Sequence, residues 1–335
     1  MRIKLLTYSL LLSLFSCSSD GYQSIEGSML GTTMLITCDL DISPDEIRAY
    51  AMELDSQLKS EMSIFNPDSQ LSRINRGESD SLTNGLTYNI ELADSISRIS
   101  GGVYDITVMP LVRAWGFARE QAELKPNIDS LLEFVGYEKI SIEDGRLIKS
   151  DERVQLDLNS IAKGYGVDCL AQRIEALGSE NYLVDIGGEI RCRGVNPSGK
   201  PWRIGIETPF DGNISDGEYL EAIISIGGDM PLTGMATSGN YRRFYLDADS
   251  VKISHTIDPH SGYSTTSTLL SATVIASSCA KADAIATMLL ALGDTAAVEA
   301  LGSLDVDAYL IFGAEDGYTH HITEGMRERV LSAAR

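Results

Sequence analysis

Three segments far apart along the chain carry residues that could do chemistry, and the first places a lysine near the expected start of a helix. Asp157 lies in a short strand expected over residues 156–158, and a helix is expected over 161–177 with Lys163 in its first turns. Free N–H groups at a helix start and a lysine together favour binding of an anion. A capped helix with a surface lysine explains the same pattern, so this segment alone leaves both interpretations open.

The second segment places an acid and a hydroxyl one turn apart on another expected helix, over residues 278–292. Asp283 and Thr287 are four residues apart, so their oxygens share one helix face, and flanking alanines leave room for close approach. Carboxylate and hydroxyl oxygens suit Mg²⁺, which keeps few protein ligands when phosphates complete its shell. A helix packed tightly through its alanines is the alternative interpretation.

The third segment holds a histidine within a turn-rich stretch. His255 lies in residues 254–263, which are rich in Ser, Asp, Pro and Gly, and this stretch follows the polar residues 236–241. Imidazole titrates near neutral pH, so a histidine in such a turn is a candidate general base. A loop histidine held by ordinary hydrogen bonds is the simpler alternative.

Common nucleotide and metal motifs are broken or absent in the sequence. The run from Gly194 to Lys200 matches GxxxxGK, but Pro201 stands where a phosphate-binding loop has Ser or Thr, so a hairpin loop is the better interpretation. No GxGxxG follows an expected strand, and the four histidines lack the spacing of a zinc-binding helix. The sequence therefore does not support a P-loop, a Rossmann dinucleotide site or a histidine-rich metal site.

The elements that must position these segments alternate irregularly. Ser43, Pro44 and Glu46 form a strong helix start, and apolar residues at helical spacing follow them. Strands and helices mix without strict alternation, which favours an α+β fold of mixed sheets with packed helices. Further helices are expected over 86–99 and 295–301, and strands over 33–40, 182–186, 190–193, 202–206, 222–226, 243–247, 269–276 and 308–312.

The composition restricts the partners. The 335 residues include 27 Lys and Arg against 48 Asp and Glu, which gives a formal net charge of −21. A surface this acidic repels phosphate backbones, so nucleic acid is not an expected partner. An anionic substrate would need a local positive feature to overcome the field of the whole molecule.

The N-terminus resembles an export signal. Arg2 and Lys4 precede a short apolar run that ends before Cys17, and the run is too short for an ordinary membrane-spanning helix. The sequence before Cys17 resembles a bacterial lipoprotein lipobox. We expect residues 1–16 to be a signal peptide, 17–24 a tether and 25–335 the folded domain. Lipidation of Cys17 would anchor the protein to a bacterial membrane in the cell envelope, facing the extracytoplasmic side. Plain secretion and a cytosolic location are the alternatives.

Taken together, the motifs resemble one family, the ApbE-type flavin transferases, or FAD:protein FMN transferases. The resemblance covers nearly all of the chain after the predicted signal. Leu30 stands where the family has Met, and Phe65 where it has Tyr. The matching segments, in family order, are 30–32, 63–75, 102–117, 157–168, 236–239, 255–259, 282–287 and 321–326.

The resemblance implies an ApbE-like, T-fold-like architecture and an enzyme that uses Mg²⁺ to split FAD and move FMN onto a Thr or Ser hydroxyl of a target protein, releasing AMP. By position, Mg²⁺ would be held by Asp283, Thr287 and the backbone carbonyl of Ser160. His255 would be the base for the acceptor hydroxyl. The residues implied at the FAD site are Leu30, Phe65, Val103, Tyr104, Asp105, Asp157, Lys163 and Ile257.

The expected partners are FAD, an exported redox protein that accepts the flavin, and a membrane reached through the lipid anchor. Two rival functions use the same residues. One is an FAD pyrophosphatase that gives FMN and AMP, and the other is a flavin-binding lipoprotein without turnover.

Overall fold

A large antiparallel sheet forms the centre of the molecule, with helices on one face and a smaller sheet on the other. The computed structural model describes residues 21–118, 126–211, 219–231, 233–241, 244–246 and 250–333. Its helices are α1 (Pro44–Met62), α2 (Gln70–Asn75), α3 (Asn84–Ile99), α4 (Met109–Ala114), α5 (Ile128–Leu132), α6 (Ala162–Ala176), α7 (Cys279–Leu292), α8 (Asp294–Leu301) and α9 (Glu324–Arg329).

Within the described residues, the strands form one eight-stranded sheet and three small ones. They are β1 (Gln23–Met29), β2 (Thr32–Cys38), β3 (Ile140–Glu143), β4 (Arg146–Lys149), β5 (Tyr182–Ile186), β6 (Glu189–Arg193), β7 (Trp202–Glu207), β8 (Leu220–Ile226), β9 (Gly234–Gly239), β10 (Phe244–Leu246), β11 (Lys252–Ser254), β12 (Leu269–Ala276), β13 (Asp307–Ala314), β14 (Gly317–Ile322) and β15 (Val330–Ala333). The large sheet has the order β1-β2-β5-β6-β9-β12-β13-β14, and β15-β8-β7 form a three-stranded sheet. The named strands pair antiparallel.

Alternating side chains of the central strands build two cores on the two faces of the large sheet. On β13, Ala308 and Leu310 join the core under the helices, whereas Tyr309 and Ile311 join the core under the three-stranded sheet. This follows from the two-residue period of a strand, which sends neighbouring side chains to opposite faces. The result is three layers, with helices, large sheet and small sheet in that order.

The predicted α+β fold is confirmed, and the bounds of several helices and strands agree closely with those predicted from local sequence patterns. Ser43 and Glu46 form the capping box expected at the start of α1: the Glu46 N–H donates to Ser43 Oγ at 3.2 Å, and the Ser43 N–H donates to Glu46 Oε2 at 3.1 Å. Strands β5 and β12 have the predicted bounds of 182–186 and 269–276. Within the described residues, no helix is both long and apolar enough to cross a bilayer.

The strand predicted over residues 156–158 is wrong. This segment is extended, but a side chain takes the place of a neighbouring strand. Asn75 Nδ2 donates to the Leu156 carbonyl at 2.8 Å, and the Leu156 N–H donates to Asn75 Oδ1 at 2.8 Å. The Asp157 N–H donates to the Ile106 carbonyl at 2.7 Å. The backbone groups are thus satisfied without a sheet.

The first strand overlaps the end of the expected tether. Strand β1 starts at Gln23, inside the tether expected over 17–24, and the Tyr22 hydroxyl donates to the Val195 carbonyl at 2.8 Å. Residues 1–20, which include the predicted signal peptide and the predicted lipidation site Cys17, lie outside the described residues.

Candidate active site

One large cavity, of about 1170 Å³, gathers most of the residues predicted to do chemistry. The start of α6, one face of α7, the turn between β5 and β6 and the segment after β11 contribute to its walls. Segments separated by more than a hundred residues thereby meet. Ten of the predicted site residues line it: Val103, Tyr104, Asp105, Asp157, Ser160, Lys163, His255, Ile257, Asp283 and Thr287.

Helix α7 carries the predicted metal ligands Asp283 and Thr287 one turn apart. Asp283 is buried, and its Oδ2 accepts a hydrogen bond from the Gly164 N–H at 3.0 Å. Thr287 Oγ1 lies 3.2 Å from Ser238 Oγ on β9. A buried carboxylate without a positive neighbour is energetically costly, so the charge state of Asp283 depends on the charged side chains near it.

Lys163 lies between two buried acids. Its Nζ is 2.5 Å from Glu189 Oε1 and 3.8 Å from Asp283 Oδ1. Desolvation works to lower the pKa of Lys163, but the charges of Asp283 and Glu189 outweigh it and raise that pKa. Burial raises the pKa of Glu189 and of Asp283, and Lys163 acts against this rise in both. Two acids and one base make the cluster negative when all three are charged.

A contact between Tyr104 and Ser160 joins the segment before α4 to the loop before α6. The Tyr104 hydroxyl and Ser160 Oγ are 2.9 Å apart, and Tyr104 is buried. This contact fixes the loop before α6, which carries the backbone carbonyl predicted to bind a metal. The burial of Tyr104 raises its pKa, so the phenol stays protonated near neutral pH.

Asp105 is a buried acid that the fold holds without a basic partner in hydrogen-bond contact among the described residues. Its Oδ1 accepts hydrogen bonds from the Thr107 N–H and from Thr107 Oγ1, both at 2.7 Å. Burial raises its pKa from 3.8 to about 6, although the bonds from Thr107 work in the opposite direction. Near neutral pH this side chain brings further negative charge to the cavity.

His255 and Ile257 follow β11 and line the same cavity. The His255 ring packs edge-on against Phe117, with ring centroids 6.3 Å apart, and Ile257 is buried in a small apolar cluster. The histidine therefore has an apolar neighbour on one side and the cavity on the other. This position suits a base that takes a proton from a bound group.

Leu30 and Phe65 do not line this cavity. Leu30 occupies a tight turn with φ of 52°, its N–H donates to Asp55 Oδ1 at 2.7 Å, and its side chain packs on the main core. Phe65 is 40% exposed in the loop after α1. Their contribution to an FAD site stays a prediction of the resemblance.

Glu189 and Asp168 are buried acids for which the sequence predicted no role. Glu189 is the first residue of β6 and pairs with Lys163. Asp168, on α6, accepts hydrogen bonds from the Cys279 and Ala280 N–H groups at 3.0 and 2.9 Å, and so caps the start of α7. Asp168 offered a local signal, because it lies between Val167 and Cys169 in the expected helix and an acid buried there needs a partner. Glu189 offered none, because Arg191 and Arg193 follow it closely in the sequence.

The acid content and oxygen ligands of the cavity fit a hard divalent cation. Among the described residues that line it, seven are acidic and two, Lys163 and Arg203, are basic. Over the same part of the chain, no three His, Cys, Asp or Glu side chains form a group able to hold a metal ion. The predicted ligands are of another kind, since one carboxylate, one hydroxyl and one backbone carbonyl suit Mg²⁺ with water or phosphate oxygens in its remaining positions.

An α+β fold whose cavity combines a base candidate, a lysine and hard oxygen ligands is typical of an enzyme that acts on a phosphate compound. Comparison with known proteins gives the family. The model of the ApbE family matches residues 30–310. The chain belongs to the ApbE family.

The relatives agree over almost their full lengths. A Haemophilus influenzae protein named FAD:protein FMN transferase is 34% identical, over 94% of this chain and 93% of its own. A Vibrio cholerae protein of the same name is 33% identical over 98% of both chains. Among solved structures, the flavin transferase ApbE from Vibrio cholerae has a TM-score of 0.79 at 31% identity, covering 92% of this chain and 99% of its own. The apo flavinyl transferase ApbE of Pseudomonas stutzeri has a TM-score of 0.82 at 28% identity, covering 93% and 98%.

Proposed function

We propose that this protein is an FAD:protein FMN transferase that depends on Mg²⁺ and attaches FMN to a Thr or Ser hydroxyl of an exported redox protein. The observation that carries the proposal is the single cavity that brings Lys163, Asp283, Thr287 and His255 together. Membership of the ApbE family supports the same activity, because its named relatives are FAD:protein FMN transferases.

The proposed reaction exchanges the phosphoanhydride bond of FAD for a phosphate ester bond to the acceptor. The acceptor oxygen forms a bond to the phosphorus on the FMN side of the pyrophosphate, the bond from that phosphorus to the bridging oxygen breaks, and AMP leaves. His255 accepts the proton of the acceptor hydroxyl as the new bond forms. Mg²⁺, when bound, neutralises charge on the pyrophosphate. Asp283, Thr287 and the Ser160 carbonyl would hold it.

The surrounding residues orient the reactants. Lys163, at the start of α6, places a positive charge at a cavity wall that has more acids than bases among its described residues. Tyr104 fixes the Ser160 loop through its hydroxyl contact, and buried Ile257 gives the segment beside His255 an apolar anchor. Catalysis of phosphoryl transfer depends mainly on such positioning and on charge neutralisation.

Intact mass spectrometry tests the proposal. The full chain is incubated with FAD, Mg²⁺ and a flavin-free exported redox domain that carries a threonine-linked FMN in its natural host. The expected result is an acceptor heavier by one FMN less one water, with AMP released in equal amount. Asp283→Asn should abolish this gain, whereas Asp45→Asn, at an exposed position on α1, should not.

Two other outcomes of this experiment would each support one of the alternative functions. Free FMN and AMP with an unmodified acceptor would overturn the transferase in favour of an FAD pyrophosphatase. FAD that binds but stays intact would overturn both enzyme functions in favour of a flavin-binding protein.

We further propose that Cys17 is lipidated and anchors the protein to a bacterial membrane in the cell envelope. The proposal is supported by the short apolar run before Cys17, which follows Arg2 and Lys4. The expected result in a bacterial host fed labelled palmitate is label on the wild-type chain in the membrane fraction. Cys17→Ser should remove the label and move the chain to the soluble fraction. An unlabelled wild type in the soluble fraction would contradict the proposal.

A further inference from the structure

The Lys163 ammonium group lies between two carboxylates and makes a close pair with only one of them. Its Nζ is 2.5 Å from Glu189 Oε1, within hydrogen-bond distance, and 3.8 Å from Asp283 Oδ1, beyond it. The side chains of Glu189 and Asp283 are 5% and 4% exposed. The pairing of Lys163 therefore decides which of two buried carboxylates is neutralised at close range.

Asp283 keeps one oxygen available because Glu189 has taken the lysine. Asp283 Oδ2 already accepts the Gly164 N–H at 3.0 Å, whereas Oδ1 has Lys163 only at the longer distance. A lysine in direct contact with Oδ1 would compete with a cation for the same lone pairs and would repel it.

The arrangement at Glu189 is poor for stability. In the part of the chain that the structure describes, Glu189 Oε2 is buried and accepts no hydrogen bond. A buried carboxylate oxygen left without a donor is expensive, so a fold selected for stability alone would satisfy it or replace the residue. The retained charge indicates a role beyond packing.

We propose that Glu189 is a positioning residue that holds Lys163 away from Asp283 and so keeps Asp283 Oδ1 available to a divalent cation. The inference rests on the proposed function, because it assumes that Asp283 binds the metal. Glu189 acts here through Lys163 and not as a metal ligand.

Binding of Mn²⁺, measured by electron paramagnetic resonance on the full chain without FAD, tests this separately from activity. In Glu189→Gln the lysine loses its charged partner and moves onto Asp283. The expected result is a roughly 10–100-fold weaker affinity for Mn²⁺, the usual effect of losing a residue that orients a metal ligand. Glu189→Asp retains the charge and should lose less.

A double variant distinguishes positioning from direct ligation. In Glu189→Gln/Lys163→Met no lysine remains to compete, so the affinity for Mn²⁺ should recover most of the loss. If the double variant binds as weakly as Glu189→Gln, Glu189 acts as a ligand or a structural residue and the proposal is overturned. An unchanged affinity in Glu189→Gln overturns it as well.

Two further variants serve as controls. Glu26→Gln removes an exposed acid of the same cavity wall, and it should weaken Mn²⁺ binding less than Glu189→Gln does, since Lys163 keeps its pair with Glu189. Asp283→Ala should abolish binding. If Asp283→Ala still binds Mn²⁺ as the wild type does, the proposed metal site fails, whereas loss of binding there with no effect of Glu189→Gln overturns only the role of Glu189. Circular dichroism and thermal unfolding establish that each variant folds.

Discussion

Asp105 is a single side chain that the molecule keeps at the expense of stability. It is 7% exposed, and burial raises its pKa to about 6 even though Thr107 donates two hydrogen bonds to it. Above that pH the folded state must keep a poorly solvated charge that the unfolded chain exposes to water. The folded form therefore binds the proton more tightly than the unfolded form does.

The first prediction follows from this tighter proton binding by the folded form. Stability of the wild type should fall, relative to Asp105→Asn, as the pH rises from about 4 to about 6, and the difference should stay constant above pH 6. At pH 7 the asparagine variant should be more stable by up to about 3 kcal/mol. Urea unfolding across this range measures it. A difference that does not change with pH would contradict the raised pKa.

His255 gives the second prediction. His255→Ala removes the proposed base but leaves the oxygen ligands in place, so transfer of FMN should slow by roughly 10²- to 10⁴-fold while FAD affinity stays close to that of the wild type. Single-turnover mass spectrometry and flavin fluorescence measure the two quantities. His320→Ala is the matched control, because His320 lies on β14 and contacts Glu221 at 2.8 Å, away from the cavity. Equal rates in both variants would exclude His255 as the base.

At the scale of elements, the site depends on how α6 and α7 meet. Asp168 on α6 caps the start of α7 through the Cys279 and Ala280 N–H groups, and Gly164 on α6 donates to Asp283 on α7. These contacts join the helix that carries Lys163 to the helix that carries Asp283. An error in the spacing of the two helices would alter the distance between these charges.

The third prediction concerns that spacing. A Cβ at Gly164 would lie 2.4 Å from the Cys279 carbonyl oxygen, so Gly164→Ala must push the helices apart. Overpacking of this kind should lower the free energy of unfolding by about 1–3 kcal/mol, as measured in urea, and should weaken Mn²⁺ binding.

The control for this substitution lies at the end of α8. At Gly302 the nearest atom to an added Cβ is the Glu299 carbonyl oxygen at 3.4 Å, and Gly302→Ala should change stability by less than about 0.5 kcal/mol. If both alanine variants behave alike, close helix contact at Gly164 is not what limits the substitution.

At the scale of the whole molecule, the electrostatic field opposes the proposed substrate. The net charge of −21 acts together with a cavity wall that contains more acids than bases among its described residues. FAD carries a negative pyrophosphate, so in the absence of a divalent cation the protein and the ligand should repel each other. Lys163 cannot cancel this effect, because it is already paired with Glu189.

The fourth prediction is therefore an unusual dependence on salt. In EDTA, raising KCl from about 20 to about 200 mM should strengthen FAD binding, because the Debye length falls below about 10 Å and the repulsion is screened. Flavin fluorescence measures the affinity, and riboflavin, which lacks phosphate, should show little change. A weaker affinity at high salt would mean that local attraction to the start of α6 outweighs the acidic field.

Much of the fold and the family could be read from local patterns. The capping box at Ser43 and the one-turn spacing of Asp283 and Thr287 are properties of a few consecutive residues, so they can be predicted without knowledge of the rest of the chain. The family resemblance is confirmed by the match over residues 30–310. Edge strands such as β1 and β15 have weaker sequence patterns, because their stability depends on the partner strand rather than on their own residues.

By itself, the sequence determined the α+β class, the family and the residue types available for chemistry, since these depend on periodicity, caps and motifs along the chain. Only the tertiary structure decided that Glu189 and not Asp283 holds Lys163, that Asn75 replaces a strand beside Leu156, and that Phe65 stays outside the cavity. The physical reason is that a charge pair or a side-chain bond depends on distances between residues far apart in sequence. Those distances are set by packing of the two cores, which no local pattern records.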